Sequence, residues 1–170
     1  EGTLTLDPTN AETMRFEYLK NTSGGSGTPV LELNNSRANT GELLELAFGM
    51  TTSGAYSGNV VLDGSNTDVK VKISNSRGVD GNFSDSDYED KQTISGVISN
   101  ATSNKTLVKD GAGILDLSGT NTFEGGVRIE GGTLIAGSAQ ALGDTTSNTV
   151  TINEGKLEVA NGVTLNSNYN

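Results

Sequence analysis

The residues of this chain with the plainest chemical potential are the carboxylates of Phe83-Ser-Asp-Ser-Asp-Tyr-Glu-Asp90. Asp85, Asp87, Glu89 and Asp90 offer hard oxygen donors at nearly alternating positions, the ligand type that Ca²⁺ prefers. A helix-loop-helix calcium loop counted from Asp85 needs Gly at its sixth position and Glu at its twelfth. Asp90 and Gly96 stand there instead. The Gly-Gly-x-Gly-x-Asp pattern of calcium-binding β-rolls fails at Gly24-Gly-Ser-Gly-Thr-Pro29, which lacks the Asp. Asp85, Asp87 and Glu89 are therefore weak metal candidates, and the stretch reads as a solvated acidic loop with no bound metal.

Other chemistries fail on residue type. The chain has neither His nor Cys, so it offers no Ser-His-Asp triad, no thiol nucleophile and no thiolate metal site. Gly111-Ala-Gly113-Ile-Leu-Asp116 resembles the start of a phosphate-cradling loop. It lacks the third Gly and lies between strand-like runs, with no following helix to turn its N-terminus toward a phosphate. No cofactor is expected. The net charge of −10 argues against nucleic acid and anionic membrane surfaces as partners, and no apolar run is long enough to span a bilayer as a helix.

The elements that would position any site are short and repetitive. The 170 residues are 32% hydrophobic and 5% aromatic, with 23 Gly. Much of the apolar quota thus has no side chain to bury, which favours a thin core repeated along an axis over a thick globular one. Four segments share a Gly-x-Leu pattern: Gly2-Thr-Leu4-Thr-Leu6, Gly113-Ile-Leu115-Asp-Leu117, Gly132-Thr-Leu134-Ile-Ala136 and Gly155-Lys-Leu157-Glu-Val159. The last three glycines are 19 and 23 residues apart, about one solenoid coil. Alternation puts Leu115 and Leu117, Leu134 and Ala136, and Leu157 and Val159 on one face. Asp116, Lys156 and Glu158 fall on the other, the ordinary polar exterior of a strand.

Between these segments Thr106–Lys109, Val127–Ile129, Thr149–Ile152 and Val163–Leu165 have strand composition. Turns such as Lys109-Asp-Gly111, Glu130-Gly-Gly132 and Asn153-Glu-Gly155 separate them. The first half is less regular. Met14–Tyr18, Val30–Leu33, Asn59–Leu62 and Val69–Ile73 read as strands, and so does the run ending at Phe48, although part of it also has helical spacing. Excursions are expected at 20–29, 49–58 and 74–92. The expected organisation is residues 1–92 as less regular coils with loops and residues 93–170 as regular coils. The chain opens in mid-pattern at Glu1-Gly2-Thr3-Leu4 and reads as a segment of something longer.

Residues 94–136 carry the most specific pattern. Leu107-Val-Lys109-Asp-Gly111-Ala-Gly113-Ile-Leu115-Asp-Leu117-Ser-Gly119-Thr-Asn121-Thr-Phe123-Glu-Gly125-Gly126 is followed by Gly131-Gly132-Thr-Leu134. This resembles the passenger-associated transport repeat, or autotransporter-associated β-strand repeat. The departures are mild: Phe123 replaces the commoner Tyr, and Asp116 stands between the leucines. The match is close over about thirty residues and continues loosely to Leu165.

The resemblance implies a right-handed, single-stranded parallel β-helix on a Gram-negative surface, extracellular or anchored to the outer membrane, with a C-terminal outer-membrane barrel in the full-length protein. Within the pattern every residue has a structural reading. Gly111, Gly113, Gly125, Gly126, Gly131 and Gly132 make corners, Lys109 opens the turn Lys109-Asp-Gly111, and Gly119 belongs to the repeat pattern. Leu115, Leu117 and Leu134 fill the core. Asn121 and Thr122 satisfy local corner groups, and Phe123 stacks within the coil. The leading function is a stalk or scaffold, with adhesion to a host surface or carbohydrate, or self-association, as its further roles. The alternative is a carbohydrate-active β-helix, lyase- or hydrolase-like, with its site in loops 49–58 and 74–92. Enzymatic activity is not expected, because no general-acid/base constellation is visible.

Overall fold

A computed structural model describes residues 3–6, 13–16, 30–34, 44–50, 54–63, 68–75, 91–102, 104–144, 146 and 148–166. All of its elements are strands. In chain order they are β1 (Thr3–Leu6), β2 (Thr13–Phe16), β3 (Val30–Asn34), β4 (Leu44–Met50), β5 (Gly54–Tyr56), β6 (Asn59–Asp63), β7 (Asp68–Asn75), β8 (Lys91–Ile94), β9 (Ile98–Asn100), β10 (Thr106–Asp110), β11 (Ile114–Leu117), β12 (Val127–Ile129), β13 (Thr133–Ala136), β14 (Val150–Ile152) and β15 (Lys156–Val159).

Every pairing is parallel, and partners are never consecutive in sequence. One sheet runs β1-β3-β6-β9, the second β2-β4-β7-β10-β12-β14, and the third β5-β8-β11-β13-β15. From β3 to β11 the chain visits the three sheets in turn and comes back one coil further along, which makes a parallel β-solenoid. Strands this short cannot bury a face alone; each is stabilised by the coil on either side. The first side of the solenoid continues past β9 without regular strand. There Thr122 N–H donates to Ile98 O at 2.9 Å and Asn121 N–H to Gln140 O at 3.1 Å.

The core is one cluster along the axis. Val60, Leu62, Val69, Val71, Ile73, Ile94, Ile98, Leu107, Leu115, Leu117, Phe123, Val127, Ile129, Leu134 and Leu142 are among its buried members. The Gly-x-Leu segments stack as their spacing predicts: Leu115 pairs with Leu134 and Leu134 with Leu157. Gln92 heads the same column beside Leu115 and is itself buried.

Several expectations are corrected. The stretch 49–58 is not one excursion. Gly49 and Met50 finish β4, and Gly54–Tyr56 is a strand paired with β8. The excursion expected over 74–92 is shorter at both ends, since β7 reaches Asn75 and β8 begins at Lys91. Val163–Leu165 is not a strand; Val163 N–H turns back to Ala160 O at 3.0 Å instead of joining a ladder. The 20–29 excursion lies outside the described residues.

Candidate functional site

The repeat turns on the corner between β10 and β11. Alternation along β10 puts Leu107 and Lys109 on the inward face, beside Val69 and Val71 of β7 and Val127 and Ile129 of β12. Lys109 is thus a cation in an aliphatic column, and it is fully buried. A lysine there must supply its ammonium with acceptors or lose several kcal/mol to desolvation, roughly. It finds three. Nζ donates to Asp110 O at 2.7 Å, Gly111 O at 2.9 Å and Gly131 O at 3.0 Å, matching the three donors of an ammonium. Two acceptors belong to its own corner and the third to the next coil. Burial pulls the Lys109 pKa down to about 8, with Asp110 opposing.

Bare backbone at the corner makes this approach possible. Gly132 sits at φ +62°, and a Cβ there would lie 2.3 Å from Gly111 O, one of the three ammonium acceptors. Gly119 needs no positive φ but is pressed just as closely: its Cβ would stand 2.1 Å from Gly96 O. Of the other pattern glycines, Gly111 and Gly126 adopt positive φ, whereas Gly113, Gly125 and Gly131 do not.

Asn121 corrects the expectation of local bonding. Its Oδ1 accepts from Ile98 N–H at 2.8 Å and its Nδ2 donates to Ala141 O at 2.6 Å. One fully buried amide therefore ties its own coil to the coils before and after it. Phe123 is fully buried in the core. Its carbonyl accepts from Asn148 Nδ2 at 2.9 Å and from Asp144 N–H at 2.9 Å. Leu115, Leu117 and Leu134 are all fully buried.

The outer face of the second sheet carries a different arrangement. Arg128 pairs with Asp68 at 2.6 Å and Glu130 at 2.9 Å. Lys70 pairs with Glu130 at 3.2 Å and Asp110 at 3.3 Å. The ladder spans β7, β10 and the end of β12, and Val108, in register with Lys70 and Arg128, is fully buried on that same face. On the third sheet Lys91 pairs with Asp116 at 3.5 Å, and Lys156 with Glu158. Glu130, read from sequence as a plain corner residue, is a junction of this ladder.

Asp85, Asp87 and Glu89 lie outside the described residues. Among the described residues no group of three or more Asp or Glu converges to hold a metal, and no helix is long and apolar enough to cross a membrane. What the described corner does chemically is join coils: ammonium to carbonyl inside, carboxylate to guanidinium outside.

The pattern has relatives. The Passenger-associated-transport-repeat family model matches residues 107–136, from β10 to the end of β13. The chain is also 50% identical over 50 residues to the Adhesin BmaC autotransporter of Brucella suis biovar 1 (strain 1330). That alignment covers 29% of this chain and 1% of the relative, so the chain spans a very small part of the length of the protein it matches. No solved structure matches it. Residues 107–136 therefore carry a passenger-associated transport repeat, set in a parallel β-solenoid.

Proposed function

We propose that this chain is a structural segment of an autotransporter passenger, a stiff stalk that holds binding surfaces away from the cell. The observation carrying this reading is the unbroken parallel ladder, in which the second sheet runs from β2 to β14 and the third from β5 to β15. A solenoid stacked in this way resists bending and presents long repetitive faces, suited to many weak contacts with a host surface, a carbohydrate or another copy. The name of the Brucella relative, an adhesin, favours adhesion over catalysis. Residues 1–92 would be coils bearing loop excursions and 93–170 plain coils, with an outer-membrane barrel C-terminal to the segment in the full-length protein.

The test is surface display, followed by a search for polysaccharide cleavage. The segment would be fused to an autotransporter barrel in a Gram-negative host and probed with antibody on intact cells. The stalk reading expects display of the wild type and loss of display for a variant that breaks the ladder, such as Leu134→Pro. Equal display of both would contradict it. Incubation of the purified chain with acidic and neutral polysaccharides should release no new reducing ends or unsaturated sugars; release of either would return the carbohydrate-active reading.

A further inference from the structure

We propose that the β10–β11 corner is a built binding site for a primary ammonium group, and that Lys109 fills it as a tethered ligand. The inference goes beyond the stalk reading and holds whatever the segment's role at the surface.

All three acceptors are backbone carbonyls. Asp110 O and Gly111 O come from the corner that follows β10, and Gly131 O from the equivalent corner after β12. The site therefore exists only when two coils have docked in register. Each flank of the pocket is fixed by other bonds. Gly111 N–H donates to Asp110 Oδ1 at 2.7 Å, Glu130 N–H to Lys109 O at 2.7 Å, and Thr133 N–H to Gly113 O at 3.2 Å. Any side chain at Gly132 would displace Gly111 O, so the corner is shaped around that acceptor.

The selectivity follows from the same geometry. Three carbonyls at 2.7–3.0 Å match the three N–H donors of a primary ammonium. A tetraalkylammonium has no N–H to donate and shields its charge behind alkyl groups, and a planar guanidinium presents its donors in a fork rather than from one point. The stem channel is apolar, lined in register by Val71 and Ile129. The nearest carboxylate, that of Asp110, bonds instead to Gly111 N–H and Lys70. Carbonyl dipoles rather than a salt bridge thus hold the charge, offsetting part but not all of the cost of burying it. The ligand class is a primary alkylammonium with a short unbranched chain.

Lys109→Ala removes Cγ, Cδ, Cε and Nζ, the heavy atoms of n-propylammonium. Urea unfolding of this variant at pH 7 would be followed in n-propylammonium chloride and in equal tetramethylammonium chloride, which carries the same charge and no N–H. The expected result is a midpoint that rises toward wild type in propylammonium and not in tetramethylammonium, while the wild type responds alike to both. An equal response of the variant to the two salts would overturn the proposal. If Lys109→Ala folds in neither salt, Lys109→Met decides, since Met fills the channel without donors. The site requires a lower midpoint than wild type; an equal or higher one would overturn it.

Discussion

Lys109 and Lys70 lie one coil apart on the same sheet and solve opposite problems. Lys109 is inside, surrounded by aliphatic side chains and held by three neutral carbonyls. Lys70 is outside, partly exposed and bonded to the carboxylates of Asp110 and Glu130. Burial pulls the first down to about 8. For the second, burial also pulls down, but hydrogen bonds and charge from Glu130 and Asp110 outweigh it, and the net shift is upward. Both lysines join neighbouring coils. The inner one fixes position through directional bonds to backbone, and the outer one adds a screened attraction that tolerates movement. In a solenoid, then, register belongs to the interior and the exterior only supports it.

The largest effect expected from breaking this division is in the interior column. Leu134 is fully buried between Leu115 and Leu157. Leu134→Ala should cost about 2–5 kcal/mol by lost transfer energy and the cavity left behind. Denaturant unfolding measures it, and a loss near zero would mean that the leucine column is not packed as described.

Next comes pH. The Lys109 pKa is about 8 folded against 10.5 for the ordinary side chain. Between those values the unfolded chain holds the extra proton, so stability rises with pH across the window and is flat below it. At about 1.36 kcal/mol per unit the rise is at most about 3 kcal/mol. Lys70 behaves oppositely: its raised pKa contributes stability that is present below 10.5 and lost as pH climbs through the folded value. Unfolding measured from pH 7 to 10.5 should show a rise that Lys70→Met keeps and that Lys109→Met cuts to the smaller part left by Lys105, whose pKa burial also lowers. A rise undiminished in Lys109→Met would assign it to another group.

How much of this was legible in the sequence divides along the same line. The Gly-x-Leu register could be read because Leu115, Leu134 and Leu157 repeat one coil apart and alternate with polar residues. The role of Lys109 could not be read from its type, since a charged residue at a corner ordinarily faces water. The available signal was parity: Lys109 shares the face of Leu107, two residues away. Asn121 was legible as a hydrogen-bonding residue, but not as a bridge between three coils. Its partners, Ile98 and Ala141, are distant in sequence and become neighbours only through stacking. β5 was missed because Gly54-Ala-Tyr56 has too little β-propensity alone and is a strand by virtue of pairing with β8. Val163–Leu165 has strand composition without a ladder, since Val163 N–H closes a turn.

The smallest effect belongs to the outer ladder. Glu130→Ala removes partners from both Arg128 and Lys70, yet these groups are partly solvated. The expected loss is about 0.5–1 kcal/mol at low salt, shrinking as ionic strength rises and the Debye length falls below about 8 Å. Urea midpoints across a salt series would show this; a large loss independent of salt would place register control on the outer face as well.

The most direct test of in-register stacking exploits the absence of native cysteine. Asp116 pairs with Ile135, and Ile135 with Glu158, on the outer face of the third sheet. Adjacent strands lie about 4.8 Å apart, within disulfide reach, whereas strands two coils apart are about 9.6 Å away and beyond it. Under mild oxidation, the double variant Asp116→Cys with Ile135→Cys should close an intrachain disulfide and keep a cooperative unfolding transition. Asp116→Cys with Glu158→Cys should remain reduced. Oxidation of the second pair in preference to the first would contradict the register on which the stacked solenoid rests.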